Sequence, residues 1–93
     1  MNKNQIALAS LAMDLKRVAL GYHRGSILIA QRFLKEALKR RTDVDTATIK
    51  PYVKKLLNKL DVLVKEKDTS RIAEDALMYS TLFQNAAITY DKN

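Results

Sequence analysis

The chain has 93 residues, no cysteine, two glycines, one proline and a formal net charge of +7. That length suits a single domain, residues 1–93, and a composition 47% apolar and 29% charged is that of a globular chain rather than a disordered one. Without cysteine there is no disulfide framework and no thiolate metal site, and a lone histidine, His23, removes the multi-histidine metal sites, so no cofactor or metal is expected. So few glycines and prolines also argue against an all-β chain, which needs many turns.

The longest uninterrupted apolar runs are only a few residues, Ile27, Leu28, Ile29 and Ala30 among them. A spanning helix needs about 20 apolar residues, so no membrane is expected among the partners. Residues 6–13 are apolar apart from Ser10 and follow Lys3, but Asp14, Lys16 and Arg17 come at once after them. They read as the first half of an amphipathic helix rather than a signal core, which makes the cytoplasm the expected compartment.

From residue 5 to 22, Leu8, Leu11, Leu15, Val18 and Tyr22 recur at steps of three and four, with Ala12 and Ala19 widening the stripe. Asp14, Lys16 and Arg17 fall largely off that face. Gly25 then suits a left-handed C-cap, with His23 and Arg24 favoured at the negative helix end and Ser26 starting the next helix. The second helix carries Ile29, Ala30, Phe33, Leu34, Ala37 and Leu38 on one face. An alternative is one long first helix over about residues 5–40, in a three-helix chain completed by dimerisation. It would run about 54 Å, longer than any partner helix, so matched lengths favour the break.

After a polar stretch over residues 40–46, Thr48 is the expected N-cap of a third helix, with Pro51 in its first turn, where a missing N–H costs little. Its buried stripe is Ile49, Tyr52, Val53, Leu56, Leu60 and Leu63, flanked by Leu57 and Val64. A charged turn over residues 65–70 precedes the last helix, capped by Asp68, Thr69 or Ser70. That helix buries Ile72, Ala76, Tyr79, Leu82, Phe83 and Ala86 and reaches toward Tyr90, with residues 91–93 expected to fray. Four amphipathic helices of similar length and short turns predict an all-α, antiparallel four-helix bundle. Apolar residues run nearly round the last helix, which predicts a homo-oligomer, a dimer by preference, with Leu77, Met78 and Ile88 as its self-association surface.

The charge is uneven: residues 1–25 carry +3, residues 26–41 carry +4, residues 42–68 carry +1 and residues 69–93 carry −1. Arg32, Lys35, Lys39, Arg40 and Arg41 gather on the second helix, and Lys50, Lys54, Lys55 and Lys59 recur along the third. If the two helices pack side by side, these nine side chains form one positive surface for a polyanion, whether nucleic acid or an acidic protein. No helix-turn-helix signature or base-stacking aromatic motif accompanies them.

Arg17, five intervening residues and His23 resemble the Arg-x(4–6)-His element of HEPN-type ribonucleases, which are all-helical and often dimerise around paired motifs. The resemblance covers seven residues. It implies a metal-independent ribonuclease in which His23 moves protons and Arg17 stabilises phosphorane-like charge. Glu36 lies four residues from Arg32 and from Arg40, a spacing for intrahelical ion pairs. Asp43 and Asp45 read as capping residues, and Glu74 and Asp75 diverge round their helix. The residues therefore favour a small binding module without catalytic residues, with the HEPN-like ribonuclease as the alternative.

Overall fold

A computed structural model describes residues 2–90, which form four helices: α1 (Lys3–His23), α2 (Ile27–Arg41), α3 (Pro51–Lys65) and α4 (Thr69–Ile88), with one 3-10 turn at Thr46–Thr48 between α2 and α3. No strand occurs among the described residues. The first helix does break where the length argument requires. Gly25 adopts φ +79°, its N–H bonds to the Tyr22 carbonyl and that of Ser26 to the Gly21 carbonyl, at 3.2 and 2.8 Å. Those two bonds make a Schellman stop, which needs a residue free of the left-handed penalty. The Ser26 carbonyl then accepts from the Ala30 N–H at 3.0 Å and α2 begins, although the Ser26 side chain makes no capping bond. The longest dimension is 38 Å, too short for the alternative continuous helix.

The α1 helix is the spine. It runs antiparallel to α4, with the Gln5 side chain donating to the Ala87 carbonyl at 3.1 Å and the Ser80 hydroxyl to the Ala12 carbonyl at 2.7 Å. On its other side it packs along α2, while α3 lies on α4 and only lightly on α2. Leu8, Leu11, Leu15 and Val18 are wholly buried, as their spacing predicts, in one cluster with Ala37 of α2, the α3 residues Val53, Leu57, Leu60 and Leu63, and Ile72, Ala76, Phe83 and Ala86 of α4. At Gly21 α1 and α2 approach closely. A Cβ there would stand 2.9 Å from the Ala30 Cβ and 3.0 Å from its Cα.

The opposite end of the molecule is tied by Asn4. Its Nδ2 lies within 3.2 Å of the Asp45 carbonyl, the Thr48 hydroxyl and the Tyr90 hydroxyl, and its Oδ1 accepts from the Asp45 N–H at 2.9 Å. One buried amide thus joins the start of α1, the 3-10 turn and the end of α4, and its burial is offset by full hydrogen bonding. Asn2 caps α1 in a box with Gln5.

Several expectations change. Thr48 is not the cap of α3; it ends the 3-10 turn, and Lys50 precedes Pro51 at the helix start. Asp68 alone caps α4, accepting from the N–H groups of Ser70 and Arg71. Ile29 is exposed rather than buried, and so are Tyr52 and Leu82 at the margins of their stripes. Asp14, expected off the buried face, is buried between α1 and α2. Residues 91–93 lie outside the described residues. Gly21→Ala places a methyl into Ala30, with backbone on both sides unable to yield cheaply. It should lower stability by about 1–3 kcal/mol despite alanine's better helix propensity, read from chemical denaturation midpoints.

Candidate interaction surfaces

The nine basic residues of the sequence divide into three groups. Arg32, Lys35 and Lys39 are exposed, and their spacing of three and four places them on one outer face of α2, opposite buried Ala30 and Ala37. Arg40 and Arg41 turn inward instead. Arg40 Nε lies 3.9 Å from Asp14 Oδ2 and its Nη1 3.7 Å from Asp43 Oδ2. Arg41 Nη1 donates to Asp61 Oδ1 at 2.9 Å and to the Leu57 carbonyl at 3.3 Å, bridging α2 to α3. On α3, Lys50 is half-buried at the helix start, while Lys54, Lys55 and Lys59 are exposed. Lys54 stands two turns before Asp61 and so shares the side of α3 that meets α2; Lys55 and Lys59 share a different face with Val62. One continuous nine-residue stripe is therefore not what the fold builds. Arg32, Lys35 and Lys39 form one group on α2, and the exposed lysines of α3 are divided between two of its faces.

Asp14 explains why Arg40 turns inward. Its carboxylate sits under 10% exposed between α1 and α2, near both Arg40 and Arg17, whose Nη1 is 3.7 Å from Oδ1. These separations exceed a hydrogen bond, and Asp14 Oδ2 and Arg40 Nε have no hydrogen-bond partner. Burial raises the Asp14 pKa above the ordinary carboxylate value; Arg40 and Arg17 oppose the rise and Glu36 adds to it. The Glu36 pairs expected with Arg32 and Arg40 do not occur among the ion pairs of the described residues.

Arg17 also stacks over the Phe33 ring, its guanidinium carbon 5.3 Å from the centroid. His23 is exposed in the last turn of α1. Six residues on one helix separate two side chains by about 9 Å along the axis and about a third of a turn around it. Within one chain, Arg17 and His23 therefore do not converge on a common atom. No group of three His, Asp or Glu residues placed to hold a metal occurs among the described residues.

Leu77, Met78 and Ile88 are all exposed. Leu77 and Ile88, three turns apart, share a face, whereas Met78 is turned about 100° from Leu77. The companions of Leu77 lie on α1: Ile6, Met13 and Leu20, seven residues apart and all exposed. A groove of about 510 Å³ lies between the two helices, floored by Ala12 and Ser80 and walled by Met13, Lys16, Leu77 and Gln84. The α1 part of this surface was legible as a seven-residue period, but it is masked by the stronger core stripe between the same residues. No helix among the described residues is long and apolar enough to cross a membrane.

Because folding raises the Asp14 pKa, the native state binds more protons than the unfolded chain between the two pKa values, and this group costs stability once pH exceeds both. Asp14→Asn removes that cost. The variant should be at least as stable as the parent at pH 7, with its advantage shrinking as pH falls through the carboxylate range in thermal melts. Neither a known protein family, nor a curated protein, nor a solved structure matches this chain, and its functional reading rests on the surfaces described above.

Proposed function

We propose that this chain is a cytoplasmic helical interaction module that binds a polyanion through the outer face of α2 and self-associates through the α1–α4 face, without catalysis. The observation that carries the reading is the grouping of Arg32, Lys35 and Lys39, all exposed, on one helix face, while the single carboxylate of α2, Glu36, is half-buried at its edge. Cations released from internal pairing are those able to displace condensed counterions from nucleic acid or to meet an acidic protein. Arg40 and Arg41, by contrast, are already neutralised by Asp14, Asp43 and Asp61. Self-association is supported by the exposure of Met13 and Leu77 beside one groove, with Ile6 and Leu20 open on the same face of α1.

Fluorescence anisotropy with labelled RNA and DNA at two salt concentrations tests the first part. Lys35→Glu with Lys39→Glu should weaken binding by a similar factor for every sequence tried and flatten the salt dependence by about one unit per lost phosphate contact, with the RNA recovered intact. Unchanged affinity would remove the α2 face from the proposal. Light scattering tests the second part. The parent should be a dimer at micromolar concentration and Met13→Glu a monomer of unchanged helicity, since a charge cannot be buried unpaired at an apolar interface.

A further inference from the structure

The first turn of α2 is the least explained part of the surface. Leu28 is 83% exposed and Ile29 55%, with Ile27 also open to solvent. Three successive aliphatic side chains project from the tip formed by the Gly25 turn, around the helix's whole outer circumference. Ile29 belongs by periodicity to the buried stripe and is nevertheless in water. Along the chain on either side of this turn the charge is one-sided. Between Asp14 and Glu36 the chain has not a single carboxylate, and Arg24, Arg32 and Lys35 are exposed there, whereas Arg17 is engaged by Asp14 and Phe33 and Lys16 lies on the α1–α4 groove. The other turn at this end of the molecule holds Glu66 and Asp68, each accepting backbone N–H bonds there, with Glu74 and Asp75 further along α4 and Lys65, Lys67 and Arg71 beside them.

We infer that this tip docks on an anionic lipid surface, inserting Ile27, Leu28 and Ile29 below the headgroups while the neighbouring cations meet the lipid phosphates. The inference rests on the polyanion reading of the α2 face and names its partner. Leu28, Arg32, Lys35 and Lys39 share one face, and Arg32 stands one turn, about 6 Å, behind Leu28 along the axis. An aliphatic tip at the acyl boundary therefore sets the first cation at headgroup depth, the arrangement by which peripheral segments combine apolar insertion with attraction to anionic leaflets. A second copy of the chain does not fit here, because it would set Arg24, Arg32 and Lys35 against their own copies. Contact with a phosphate backbone alone would satisfy the cations and leave the three aliphatic side chains in water. Docking of this kind needs no spanning helix.

The experiment is co-sedimentation of the full chain with vesicles of phosphatidylcholine alone and of phosphatidylcholine with phosphatidylserine, beside the anisotropy measurement with RNA. Binding should appear only with phosphatidylserine. Leu28→Ser, at a position too exposed to disturb the fold, should weaken it about tenfold or more with RNA affinity unchanged, and Leu28→Trp should give a blue-shifted emission on the anionic vesicles alone. Vesicle binding that Leu28→Ser leaves intact, or an indole emission from the Leu28→Trp variant that does not shift, would overturn insertion. RNA binding without vesicle binding would overturn the lipid surface and leave the polyanion reading standing; absence of both would remove the two together. Conversion of a dimer to a monomer by Leu28→Ser would assign the tip to a second copy and overturn the inference.

Discussion

The left-handed backbone at Gly25 decides how the chain can fold, because it turns the helix that would otherwise continue through residue 40 back along itself. An L-residue with a side chain pays about 1–2 kcal/mol to take that conformation; glycine does not. Once the turn is made, Ser26 and Gly25 return their N–H groups to the last carbonyls of α1, and α2 is led back against α1. Gly21 then completes the hairpin, since its missing side chain is the space that Ala30 occupies. With α2 on one side and α4 on the other, α1 becomes the centre of the core.

That central position has two consequences. At one end Asn4 reaches both the turn before α3 and the end of α4, so a single satisfied amide closes the bundle where the helices diverge most in sequence. In the middle, Asp14 is carried into the α1–α2 contact, where its carboxylate is held by two arginines at distances too long for hydrogen bonds. Such a pair contributes little to stability, since the loss of hydration is not repaid by close geometry. Its structural effect is on Arg40, which is drawn out of the basic surface, as Asp61 draws out Arg41. What remains outward-facing on α2 is a shorter and cleaner set of cations headed by an aliphatic tip.

Much of this was legible residue by residue. The three- and four-residue spacing of Leu8, Leu11, Leu15 and Val18 marks the buried face of α1, Gly25 marks its stop, and Asp68 the cap of α4. Thr48 misled because a threonine three residues before a proline has the signature of a helix cap, while its hydroxyl is engaged by Asn4, more than 40 residues away. Ile29 misled because periodicity knows the angle of a residue around its helix and not how far the partner helix extends beside it. The seven-residue spacing of Ile6, Met13 and Leu20 was visible too, but nothing local distinguishes an apolar stripe that is covered from one left open.

The sequence by itself determined the four helices, the ends of all but the third and the sign of the charge, because caps, glycine conformation and helical period act over a few residues. Only the tertiary structure decided which charges stay free and which apolar faces stay open. Those properties depend on what the packing brings across from other segments, Asp61 to Arg41 and Asp14 to Arg40, and no local pattern encodes such a meeting.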